Sequence, residues 1–142
     1  MKQVFIIASM FIGMTASAQE VRTSWEKKLY SSPMGAVTLT EYDTGVHGYM
    51  FANTYNGAAT YETIVFESKQ KAIDFFTFVD KVVNTKGDVF QDITEYYPQE
   101  DHYKVYVKKQ GNKITVVKGV GDYMSGTIFN KKRAANILKT LI

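Results

Sequence analysis

His102 closes the run Pro98-Gln99-Glu100-Asp101-His102, and His47 lies between Gly45 and Gly48. An imidazole beside carboxylates has the makings of a mixed oxygen-and-nitrogen metal site, or of a general base oriented by an acid. Consecutive residues seldom aim at one point, however, and PQEDH has the composition of a solvated loop. His47, near the start of a hairpin, reads as a surface histidine, and a site joining it to His102 needs two hairpins to meet in space. Nucleophilic catalysis finds less to work with. The chain has no cysteine and no G-x-S-x-G elbow. Ser125, between Met124 and Gly126, is a single serine in a strand. Gly119-Val120-Gly121 lacks the third glycine and the Lys-Ser/Thr pair of a phosphate loop and reads as a turn. Asp92 and Glu95 are candidates for a paired-carboxylate site, but such pairs work at set distances across a cleft, which sequence neighbours do not establish. No catalytic residue, metal ligand or cofactor is therefore assigned.

Tyrosine is the unusual feature: there are ten, spread over the segments that read as strands. A tyrosine combines a large apolar body with a polar tip at low entropy cost, which suits recognition surfaces. The five nearest turns, Tyr42, Tyr49, Tyr55, Tyr96 and Tyr97, are the expected exposed set and the candidate binding residues. If the strand continues through Tyr96-Tyr97, one of those two rings points outward.

The ends of the chain bear on where it acts. Lys2, then the apolar run Val4 to Met14, then Ala16-Ser17-Ala18 have the order of a secretory signal peptide: positive start, short apolar stretch, small-residue cleavage site. The apolar run is too short to span a bilayer. Residues 1–18 are expected to be removed near Ala18, and 19–142 to form a single domain, secreted or periplasmic, without a stable membrane anchor. Without cysteine there is no lipid attachment of the lipoprotein kind and no disulfide, so packing alone must hold the fold; a chain of this size buries enough surface for one core. The net charge of +3 falls to +2 without Lys2. Nucleic-acid binders carry a larger basic excess on one face, so no nucleic-acid partner is expected.

The elements follow from periodicity. Glu20 to Tyr30 reads as an edge strand or arm, stopped at Ser31-Ser32-Pro33. Ala36 to Tyr42 alternates Val37 and Leu39 against Thr38 and Thr40, a half-buried strand. Asp43-Thr44-Gly45 turns it, Val46 to Thr54 returns, Asn56-Gly57 gives a hairpin signal, and Thr60 to Phe66 follows. From Lys69 the apolar spacing becomes three and four, predicting a helix to Asn84 with Ser68 as its N-cap. The second half repeats the order. Asp88 to Tyr97, Tyr103 to Lys108, Lys113 to Lys118 and Tyr123 to Phe129 read as strands. Asn130 then caps a terminal helix striped by Ala134, Ile137, Leu138 and Leu141. FESKQKAIDFF (66–76) and IFNKKRAANIL (128–138) align at an offset of 62 residues, with Lys69/Lys131 and Ala72/Ala134 identical. Both are strand-to-helix junctions whose basic residues serve as solvent cover.

These patterns predict an α+β domain. An antiparallel sheet of about seven or eight strands carries two helices on one face, built as a β(3–4)-α unit repeated over halves 19–84 and 85–142. Exported inhibitors and binding modules share this general plan. The expected function is a non-enzymatic, exported binding or inhibitor-like module recognising a protein or a glycan. The alternatives are a small exported hydrolase using His102, or an envelope assembly protein pairing through a strand edge.

Overall fold

The computed structural model describes residues 24–33, 35–52 and 61–142, together with the backbone of 4–5 and 22–23. Two two-residue strands, β1 (Val4–Phe5) and β2 (Arg22–Thr23), pair antiparallel. Apart from Val4 and Phe5, the expected signal peptide lies outside the described residues, as do Tyr55 and the Asn56-Gly57 turn.

The body of the chain is α+β, a four-strand meander followed by a helix, twice. The first sheet runs β3 (Glu26–Ser31), β4 (Val37–Tyr42), β5 (His47–Ala52) and β6 (Tyr61–Phe66), and α1 (Lys69–Val83) follows it. The second sheet runs β7 (Val89–Asp92), β8 (Lys104–Gln110), β9 (Lys113–Val120) and β10 (Tyr123–Phe129), and α2 (Lys131–Leu141) follows that. All pairings are antiparallel. The echo between the halves is thus a repeated β4-α unit. Ser68 Oγ accepts from Lys71 N–H at 3.2 Å and Asn130 Oδ1 from Arg133 N–H at 2.8 Å, the same cap on both helices.

The eight strands form two sheets of four, not one continuous sheet. The reason lies on the outer edge of β6. Thr63 N–H donates to Glu62 Oε1 (3.2 Å), and Thr63 C=O accepts from the Lys118 ammonium. Val65 N–H donates to Gln99 Oε1 (2.9 Å) and its C=O accepts from Gln99 Nε2 (3.0 Å). Side chains hold the groups that a fifth strand would need.

Each sheet turns one face inward. Leu39, Tyr49 and Ile64 lie in one cross-strand row of the first sheet, Val107, Val116 and Thr127 in one row of the second. The faces meet where the Tyr49 and Phe129 rings stack at 5.5 Å. Ala72, Phe75, Phe76, Val79 and Val82 of α1, with Ala134, Ile137 and Leu141 of α2, complete a single core. Lys109 donates to the carbonyls of Thr85 (2.7 Å) and Gly87 (3.1 Å), satisfying acceptors just beyond the end of α1.

The strand expected over Asp88 to Tyr97 stops at Asp92. Asp92 Oδ1 accepts from both the N–H (2.9 Å) and the hydroxyl (2.6 Å) of Thr94, a side-chain turn that competes with the ladder. Those bonds hold the Asp92 carboxyl below its usual range. Tyr96 and Tyr97 therefore lie on a turn.

Burial raises the ionisation of two core tyrosines. The Tyr97 hydroxyl is pushed up to about 12 by burial, helped by the Asp74 carboxylate. Tyr49 is pushed up by burial, an effect that Thr127 and Arg133 only partly offset. Unfolded tyrosines ionise near 10. Above pH 10 the unfolded chain therefore releases protons that the folded chain keeps. The stability these two groups contribute is full below pH 10 and is lost as pH rises from about 10 through about 12. Lys118, shifted down by burial, works the other way below its ordinary value, where its earlier deprotonation favours the folded state as pH rises. Tyrosinate absorbance read alongside circular dichroism checks this: the last tyrosines to ionise are expected to do so together with unfolding, and Tyr49→Phe to flatten the loss. Ionisation of all ten near pH 10 with the fold intact would refute it.

Candidate functional site

The outer face of the first sheet is set by strand register. Thr38 pairs with Met50 and Met50 with Thr63; Lys28 pairs with Thr40, Thr40 with Gly48, and Glu26 with Tyr42. Alternation along β4 puts Val37 and Leu39 in the core and Thr38, Thr40 and Tyr42 on this face. The result is a groove of about 490 Å³ lined by Glu26, Lys28, Thr38, Thr40, Tyr42, Gly48, Met50 and Thr63. That volume lies within the usual range for ligand sites.

Gly48 shapes the floor. A Cβ there would lie 3.2 Å from Thr63 Cγ2 and 3.5 Å from Tyr42 Cε2, so its absence lets the Tyr42 ring settle against the backbone. Tyr42 keeps 38% of its surface exposed. The hydroxyls of Thr38, Thr40 and Thr63 have no hydrogen-bond partner among the described residues. Trp25, the chain's only tryptophan, is half exposed beside the turn after Tyr42, where its carbonyl accepts from Asp43 N–H at 3.1 Å.

The tyrosines chosen by closeness to turns divide. Tyr42 is exposed in the groove, and Tyr96 is 54% exposed. Tyr49 is fully buried, because the Leu39–Tyr49–Ile64 row places it inward whatever its distance from a turn. Tyr97 is also buried, edge-on to Phe66 at 6.1 Å and Phe75 at 5.2 Å, so the outward ring of the pair is Tyr96. Tyr96 and Tyr97 line a separate hollow of about 170 Å³ with Val46, Val65, Phe66, Glu67, Lys71 and Pro98. Lys71, expected to be solvent cover, donates to the Tyr96 carbonyl at 3.1 Å and straps the turn to α1. This hollow is smaller than ordinary ligand sites.

The candidates for chemistry are not brought into one constellation. His47 is buried, its Nδ1 donating to the Gly45 carbonyl at 3.0 Å and its Nε2 facing the interior without a partner among the described residues. His102 is exposed on a short 3-10 turn, Glu100–His102, where Asp101 and His102 both take positive φ. It borders an open hollow with Thr94, Pro98, Gln99, Asp101, Tyr103 and Lys104, but the Thr94 hydroxyl is already bonded to Asp92. Ser125 is fully buried in β10. Of the two glycines, Gly121 lies in the turn between β9 and β10 with φ +57°, whereas Gly119 belongs to β9 and pairs with Met124, where a Cβ would come 2.5 Å from the Tyr123 carbonyl oxygen. Asp92 and Glu95 are both exposed. Among the described residues no group of three His, Cys, Asp or Glu is placed to hold a metal, and no helix is long and apolar enough to cross a membrane.

Five groove residues, Glu26, Lys28, Gly48, Met50 and Thr63, carry no motif and escape sequence reasoning. The alternation of Thr38 and Thr40 is the signal that points to this face. Compared with known protein families, curated proteins and solved structures, the chain matches none.

Proposed function

We propose that this chain is an exported, non-enzymatic binding module that takes a glycan along the outer face of its first sheet. The observation that carries this reading is the set of three threonine hydroxyls, unpartnered among the described residues, that line one groove together with the exposed Tyr42 ring. A polyhydroxylated ligand offers each of them a donor or an acceptor, and the ring a flat apolar surface. Glu26 and Lys28 supply charged hydrogen bonds at the rim. A protein partner would call for an apolar centre with several aromatic anchors, and this groove has only Tyr42 and Met50. Export is supported by Lys2, the apolar run to Met14 and the small residues 16–18.

The full chain, expressed in a secreting host, is expected to appear outside the cytoplasm lacking residues 1–18; retention at full length removes the exported part of the reading. Secreted protein titrated with soluble β-glucan, chitin oligomers and uronate polymers is expected to bind one class, with Trp25 fluorescence as the reporter. Tyr42→Ala is expected to weaken that binding about tenfold or more, the scale of losing a central aromatic contact, while Tyr96→Ala leaves it unchanged. Failure of every polymer, or equal binding by Tyr42→Ala, overturns the glycan reading.

A further inference from the structure

The outer face of the second sheet has a different character. Register aligns Phe90, Lys108, Thr115 and Ile128 in one row across it, and Asp92, Tyr106, Val117 and Gly126 in the next. A third row holds Lys104, Gly119 and Met124. Phe90 leaves 71% of its surface in solvent although its ring stacks on Tyr106 at 5.7 Å and 17°. Ile128 at the far edge is also exposed. An aromatic this open on a strand gains little from folding and is the kind of residue that anchors an interface.

The charge on this face is one-sided. Lys104, Lys108 and, at the hairpin end, Lys113 project from it, with Asp92 as the one acid in these rows. Asp92, kept ionised by its two hydrogen bonds from Thr94, offsets part of the Lys104 charge, and the three lysines still leave these rows with an excess of positive charge. The stacked Phe90 and Tyr106 rings, with lysines beside them in the same rows, give this face the character of a protein-binding patch selective for acidic partners. The threonine-lined groove of the first sheet has no such aromatic pair.

We infer that the outer face of the second sheet docks an acidic protein partner, with Phe90 and Tyr106 as the anchor and Lys104 and Lys108 as the selecting charges. The two faces then serve two ligands, and this one stands whether or not the first sheet binds glycan.

The test uses the secreted chain and three probes: a random Glu-Tyr copolymer as acidic polypeptide, heparin as anionic polysaccharide, and phosphatidylglycerol vesicles. Binding is followed by calorimetry at low and at roughly physiological salt. The copolymer is expected to bind best, and to weaken as salt screens the lysines. Phe90→Ala and, separately, the pair Lys104→Glu and Lys108→Glu are each expected to cost about tenfold or more. Tyr42→Ala is expected to leave binding of the copolymer unchanged. Phe90 and both lysines are on the surface, and circular dichroism of each variant verifies the fold. No binding to the copolymer, tighter binding of the Tyr42→Ala variant to heparin or to vesicles than to the copolymer, or full retention in Phe90→Ala overturns the inference.

Discussion

Phe76→Ala is expected to cost about 3–5 kcal/mol, the usual range for removing a buried phenylalanine. The Phe76 ring is fully buried and meets four others: Tyr49 on β5 at 5.2 Å, Phe66 on β6 at 5.9 Å, Phe75 beside it at 5.0 Å, and Phe129 on β10 at 6.1 Å. Those partners come from both sheets, so the cavity opens where the two repeats join. Domains of this size have about 5–15 kcal/mol in total, and the variant stands to lose roughly a fifth of it or more. Urea unfolding is expected to show a large drop in midpoint with one cooperative transition and an unchanged slope. Ile137→Val, at an equally buried position on α2, is expected to cost only about 0.5–1.5 kcal/mol. A loss below about 1 kcal/mol for Phe76→Ala, or two separate transitions in the parent, would mean that the halves do not share one core.

Both helices were legible because their signals are local. Ser68 and Asn130 precede an apolar stripe at helical spacing, and each caps its helix as expected. Tyr123 to Phe129 was legible for a similar reason, being bounded by a glycine turn and a cap. The split into two sheets was not, because it depends on distant groups. Gln99 and Lys118 reach β6 from 34 and 55 positions away, and nothing in their neighbourhoods announces it. Closeness to a turn proved a poor guide to tyrosine exposure. Tyr49 and Phe51 alternate with Gly48 and Met50, and that pattern, weighed above the turn, marks Tyr49 as inward. The groove was half legible: Thr38 and Thr40 share a face in the sequence, but only the register brings Lys28, Gly48 and Thr63 to them.

Lys118→Ala is expected to cost about 2–3 kcal/mol and to change how the protein associates. The ammonium donates to the Thr63 carbonyl, lies 3.7 Å from Glu62 Oε1 and sits 5.0 Å from the Tyr103 ring centroid. Burial pulls the Lys118 ionisation down and Glu62 pushes part of it back, the balance of a cation held in a poorly solvated place by one acid and one carbonyl. Removing one member of a buried pair typically costs 3–5 kcal/mol; here the side chains keep 10% and 17% exposure, so water recovers some of it. Lys118→Met retains the apolar stem, so its difference from Lys118→Ala isolates packing from charge. Combined with Glu62→Gln, it is expected to cost less than the two changes summed, the signature of a coupled pair. Gln99→Ala strips the partners of Val65 N–H and C=O and is expected to cost about 1 kcal/mol. Its larger consequence appears together with Lys118→Ala. Thr63 C=O and both Val65 groups then face outward unpaired, and an uncovered strand edge recruits another strand. Sedimentation of the double variant is expected to show self-association, rising with concentration, beyond that of the parent chain. If the double variant matches the parent in both stability and mass, the side chains on β6 are incidental contacts, and the reason the sheet ends there must lie elsewhere.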